Sequence, residues 1–288
     1  MKARNRPESL LDSTLNIYSI VLKNNNNNEY DIPCLQFKRL FEFPARITPV
    51  PPSSKYGTLH LDNPAAALKV HLARLRALRG APTDAAFEAR VAQVRLWQSK
   101  RLARTYDDLS ATSRYAPATR FFLEDLYGTK DYSGRDAELQ RVLPLMTRVL
   151  PESAIETAAL AIEVDALSEE LDRGLAQALE PGEITEERYE RAYRLCGNRA
   201  LREHQIDLIG QVGRRLDGLV KLPLVYRMLK MMRRPAKLAG FGDLQGFLER
   251  GFESFQFMGG AETFLATIAE RETAIMERIF SERPASSP

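Results

Sequence analysis

From Asn63 onward, apolar positions recur at three- and four-residue spacings, and no stretch sustains the two-residue alternation of a half-buried strand. Asn63-Pro64 reads as an N-cap followed by proline in the first helical position, with Gly80 as the stop. Thr83 is expected to cap a longer helix whose stripe is Phe87, Val91, Val94, Trp97 and Leu102. Pro117 opens a short aromatic helix ending at Gly128. Another follows Ser133, with Pro144 expected to kink or break it. Pro151 starts a long helix reaching about Leu179, and Thr185 caps one ending at Gly197. Helices then follow over 199–220, from Pro223 to a stop at Pro235, from a cap at Asp243, and after Gly259-Gly260 to about Phe280. The pattern predicts an all-α, multi-helix bundle of about nine or ten helices. There is no 30–45-residue repeat of a solenoid.

Residues 1–58 break this pattern. Eight of the nine asparagines fall at or before Asn63, five of them in the run 24–28, while only Ala3 and Ala45 precede Ala65. With the proline-rich stretch 44–52 they read as a flexible, mostly irregular extension to one helical domain over 59–288. The apolar stretch 15–22 is short, carries Asn16 and Ser19, and lacks a cleavage site, so it does not read as a signal peptide. No run approaches 18 apolar residues, so no membrane span is expected. Two distant cysteines, Cys34 and Cys196, suit a reducing, cytoplasmic setting.

A formal net charge of +3 conceals strong segregation. Residues 64–104 carry nine Lys/Arg against two acids; residues 152–190 carry twelve acids against two Arg; residues 218–242 carry six Lys/Arg and no acid. The simplest expectation is that acidic and basic helices lie side by side, within one chain or across a homodimer. The basic surface Arg227, Lys230, Arg233, Arg234 and Lys237 surrounds Val225, Met228, Leu229 and Met232, a short amphipathic helix able to meet an acidic partner or an anionic membrane surface. The small overall excess argues against a dedicated nucleic-acid binder.

Candidate chemistry is sparse. There is no GxSxG, and Gly240, Gly242 and Gly246 miss the dinucleotide spacing by one residue. Glu163 and Glu170 share one face of the acidic helix, and His204 lies three residues before Asp207, so these four are the candidate metal ligands. No cofactor is expected from any motif. The most distinctive stretch runs from Arg120 to Asp136, with Phe121, Phe122, Asp125, Tyr127, Asp131, Arg135 and Asp136 as its signature. Its FFLEDLYG segment, followed by RDAELQRVLPLMTRVLP and the acidic helix, resembles a family of uncharacterised bacterial all-helical proteins, over about residue 59 to the C-terminus. The resemblance implies a bacterial cytoplasmic protein and transfers no activity. The leading expectation is a non-enzymatic interaction or regulatory protein, as a homodimer or with another protein. A metal- or cofactor-binding helical enzyme comes second, and peripheral membrane or nucleic-acid contact through the basic helix third.

Overall fold

The computed structural model describes residues 63–126, 138–139, 141–144 and 152–281. Within them are ten complete α-helices: α1 (Pro64–Arg79), α2 (Ala85–Thr105), α3 (Asp107–Ala111), α4 (Ala116–Phe121), α5 (Glu152–Ala178), α6 (Glu186–Cys196), α7 (Arg199–Val220), α8 (Pro223–Leu238), α9 (Gly242–Met258) and α10 (Glu262–Ser281). A π-helical turn, Phe122–Leu126, continues α4, and 138–144 contributes part of a further helix. There is no strand among the described residues, and no helix there is long and apolar enough to cross a membrane. The all-α bundle is therefore as the periodicity predicts.

Most boundaries follow from local chemistry. Asn63 accepts hydrogen bonds from the Ala65 and Ala66 N–H groups at 2.9 and 3.2 Å, and Gly197 ends α6 in the left-handed region at φ 60°. Three boundaries correct the sequence reading. Asp84, not Thr83, caps α2 by accepting from Phe87 N–H at 2.6 Å; the Thr83 hydroxyl donates instead to Glu88. Pro235 does not end α8 but sits inside it, one turn from the close. The helix closes only beyond it, where Phe241 N–H returns to Ala236 C=O at 2.8 Å and Gly240 takes φ 74°. Asp243 lies in the first turn of α9 and is not its cap. The cap comes from elsewhere in the chain, where Glu138 accepts from Leu244 N–H at 2.7 Å. The expected start at Ser133, the stop at Gly128, the continuation past Pro144 and residues 1–58 lie outside the described residues.

Helix α5, about 40 Å long at 1.5 Å per residue, is the axis. Leu167 and Leu171 meet Leu208 of α7. Ile155 and Ala159 meet Leu68 and Leu72 of α1. Leu175 and Ala176 join Val91 and Val94 of α2, Tyr189 and Tyr193 of α6, and Met276 and Ile279 of α10. A fourth core joins the end of α2 with α3, α4, α9 and α10 around Tyr106, Phe252, Met258 and Phe264.

Candidate functional site

The segregated charge is answered largely inside the molecule. Basic α1 and α2 flank acidic α5. Glu169, whose side chain is 2 % exposed, accepts from Arg79 at 3.2 Å, Arg95 at 2.5 Å and Arg173 at 2.8 Å. Arg79 also reaches Asp165 at 2.8 Å, Gln98 donates to Asp172 at 2.7 Å, and Arg74 pairs with Glu170. The carboxylate of Glu169 thus ties three helices at one point, a geometry in which the partially desolvated ions depend on one another.

Two of the four candidate ligands are engaged elsewhere. Glu170 is taken by Arg74 at a half-exposed position. Asp207 accepts from Gln211 at 2.8 Å and lines a groove described below. Glu163 and His204 do meet, with Glu163 Oε1 3.1 Å from His204 Nε2. The sequence reading missed the third member, His71 of α1, whose Nε2 lies 3.6 Å from Glu163 Oε2. Its sequence signal was Leu68, Leu72 and Leu75, which bracket His71 on the buried face of α1. Among the described residues no group of three or more His, Cys, Asp or Glu side chains is arranged to hold a metal ion. One carboxylate shared by buried His71 and half-buried His204 joins α1, α5 and α7.

Within this group, His71 makes stability depend on pH. Burial pushes the His71 pKa below 6.5, helped by the charges of Arg74 and His204 and opposed by Glu163. In the unfolded chain His71 takes up a proton as pH falls through 6.5, whereas the folded chain resists until a lower pH. The stability contribution is therefore complete above 6.5 and is lost as pH falls from there towards the folded value. Urea midpoints measured between about pH 5 and 7 are expected to rise with pH, and to rise less in His71→Gln. An equal slope in both proteins would remove His71 from the account.

The larger feature is a groove between antiparallel α7 and α10. Its ends are marked by Asp217, which accepts from Ala261 N–H at 3.1 Å, and by Arg199, which pairs with both Glu203 and Glu277. The α7 wall places Glu203, Ile206, Asp207, Gly210, Arg214 and Asp217 on one stripe, at steps of three and four residues. The floor from α10 is small and apolar: Ala261, Leu265, Ala266 and Ala269. The groove has a volume of about 740 Å³ and spans about 21 Å from Glu203 to Asp217 at 1.5 Å per residue. Five carboxylates and one arginine edge it. Among the described residues Glu262 makes no ion pair, and there Asp207 bonds only to the neutral amide of Gln211.

Arg227, Lys230, Arg233, Arg234 and Lys237 all lie on α8, where they divide by contact. Arg233 turns to α9 and holds Glu249, and Lys230 sits 4.5 Å from the Tyr226 ring centroid. Tyr226 in turn stacks on Phe252 at 5.4 Å. Arg227, Arg234 and Lys237 are exposed and make no ion pair among the described residues. Met231 and Leu238, 42 and 75 % exposed, lie among them.

Within the signature segment, Phe121 packs on Phe247 at 5.3 Å and Asp125 binds Arg250 through contacts of 2.8 to 3.2 Å. Phe122 meets Tyr106 edge-on at 6.4 Å. These three residues dock the end of α4 onto α9 and α2. Tyr127, Asp131, Arg135 and Asp136 lie outside the described residues.

A helical bundle with an acid-edged groove and an outward basic helix is thus the class of molecule this chain forms. A family model described as "Domain of unknown function (DUF8198)" matches residues 77–286, and the chain belongs to that family. That agrees with its likeness to an uncharacterised family. No curated protein and no solved structure matches the chain.

Proposed function

We propose that this is an interaction protein whose α7/α10 groove receives a basic amphipathic helix. The observation that carries the reading is the groove itself: a trough about one helix of some 14 residues long, apolar and alanine-rich along the bottom, carboxylate-edged along the rim. Helix-in-groove recognition needs those features. Small floor residues let a partner backbone approach, and anchors at i, i+3 or i+4 and i+7 enter the apolar strip while flanking cations meet the rim. Acidic edges also speed encounter with a cationic partner and make it salt-dependent. A reducing, cytoplasmic setting belongs to the same proposal, supported by the free, half-buried Cys196 thiol.

The test is fluorescence anisotropy of a labelled amphipathic Lys/Leu helical peptide titrated with the protein. Saturable binding is expected, weakening about tenfold or more when Ala269→Arg places bulk and positive charge on the floor. Circular dichroism checks that the variant remains folded. Binding that ignores Ala269→Arg would overturn the groove as the site.

A further inference from the structure

We propose that α8 docks the bundle on an anionic membrane surface, through a stripe of four cations with shallow apolar contact from Met231 and Met232. No α8 residue is among those lining the α7/α10 groove, so this surface works independently of a helix bound there.

Charge on this stretch has one sign. Six Lys/Arg and no acid occur between positions 218 and 242. Arg227, Lys230, Arg234 and Lys237 follow one another by three, four and three residues, which lines them along one face of α8. All four are exposed. Arg227, Arg234 and Lys237 make no ion pair among the described residues, and Lys230 Nζ rests 4.5 Å from the Tyr226 ring centroid. Two carboxylates of α9 face α8. Glu249 is held by Arg233, and Glu253 accepts from the Tyr226 hydroxyl at 3.3 Å. The positive stripe is therefore not cancelled from α9.

Apolar groups stand beside these charges. Met231, one turn from both Arg227 and Arg234, is 42 % exposed, and the adjoining Met232 is 37 % exposed. Unbranched thioether chains adapt to an irregular apolar boundary, and the aliphatic stems of Lys and Arg lie along it while their charged ends meet lipid phosphates. The other side of α8 belongs to the bundle: Val225, Tyr226 and Leu229 pack on its core and Ala236 is buried. Contact with a bilayer thus needs no detachment of α8, and it is mainly electrostatic, not a deep insertion. From Arg227 to Lys237 the stripe runs about 15 Å at 1.5 Å per residue. A surface lying along it brings all four charges within the roughly 8 Å over which a headgroup potential persists at physiological ionic strength. Each cation so placed strengthens attachment about fivefold. A nucleic-acid backbone would engage the cations and leave the methionines unused, so lipid fits the whole surface better.

The test is co-sedimentation of the full chain with phosphatidylcholine vesicles, with and without phosphatidylserine, at low and raised salt. Binding is expected only with phosphatidylserine, and it is expected to weaken as salt rises. R227E/R234E is expected to weaken it by more than about 25-fold, since two fivefold contributions are lost and two repulsions added. Both positions are exposed, and circular dichroism checks the fold of the variant. Met231→Trp reports the apolar contact. Its added emission is expected to move to shorter wavelength with phosphatidylserine vesicles. Wild type, whose single tryptophan Trp97 stacks on Tyr189 away from α8, is expected to show no such shift. Equal binding to both kinds of vesicle, or binding that survives R227E/R234E, overturns the proposal. Binding of polyglutamate or duplex DNA through the same arginines, without vesicle binding and without the Met231→Trp shift, would assign the stripe to a soluble polyanion and overturn the membrane reading. None of these outcomes bears on the groove, which the Lys/Leu peptide tests separately.

Discussion

Glu169→Ala is expected to lower unfolding stability by about 3 kcal/mol, the lower end of the range for breaking a buried ion pair from one side. The carboxylate is almost wholly enclosed, and three guanidinium groups from α1, α2 and α5 converge on it. Removing it leaves three guanidinium groups crowded at one point, each with a carboxylate remaining beside it: Asp165 for Arg79, Asp172 for Arg95 and Glu88 for Arg173. Arg79 and Arg95 are 29 and 38 % exposed and can turn partly to water, which sets the effect at the lower end of the range. In thermal unfolding this corresponds to a fall in Tm on the order of 10 °C for a chain of this size. Glu169→Gln keeps the shape and one acceptor, so a smaller loss is expected. A change within experimental error for Glu169→Ala would mean that the α1–α5–α2 contact is held by its leucines alone.

Phe121→Ala is the second large effect, with an expected loss of about 3 kcal/mol for truncating a buried aromatic side chain. The tip of the ring points into α9 at Gly251. A Cβ built there would stand 2.8 Å from Phe121 Cζ and 3.2 to 3.3 Å from its neighbours, which explains a glycine in mid-helix. Gly251→Ala alone is expected to destabilise, because overpacking against a rigid ring outweighs the gain in helix propensity of about 1 kcal/mol. Combined with Phe121→Ala it is expected to become neutral or stabilising, since its methyl then enters the space the ring has left. Strict additivity of the two changes in urea denaturation would deny that they touch. The same pair gives the family-like aromatic segment a physical role. Together with Asp125 and Arg250 it fastens the α4 end to α9, beneath the helix that carries the outward basic face.

Several elements were legible in the sequence for plain reasons. Asn63-Pro64, Thr185 and the glycines at 80, 197 and 259 mark helix ends through local hydrogen bonding, which needs no tertiary partner. The acidic and basic blocks were legible as charge, and their pairing across α1, α2 and α5 was the simplest expectation. Caps supplied from a distance were not legible. Glu138 on the start of α9 and Asp217 on Ala261 N–H are separated from their targets by 106 and 44 residues. Pro235 misled because proline disfavours a helix interior without forbidding it, and α8 continues three residues past it to Leu238. The sequence paired Glu163 with Glu170 and His204 with Asp207 by helix face, which is a coarse criterion; the contact between Glu163 and His204 depends on how α5 packs on α7. The ridges that Glu170 and Asp207 occupy send one to Arg74 and the other to the groove. The groove itself left a weak trace, the stripe Ala261, Leu265, Ala269 and Thr273 on α10 against Ile206, Gly210 and Asp217 on α7. Only the packing of the two helices reveals that these small residues leave open space.

Hydrogen exchange of the full chain with and without the Lys/Leu helical peptide addresses the groove most directly, because it reports where a basic helix settles. The expected result is slowed exchange confined to α7 between Glu203 and Asp217 and to α10 between Ala261 and Glu277, abolished in Ala269→Arg. Slowed exchange elsewhere with those two stretches unchanged would contradict the assignment of this groove as the binding site.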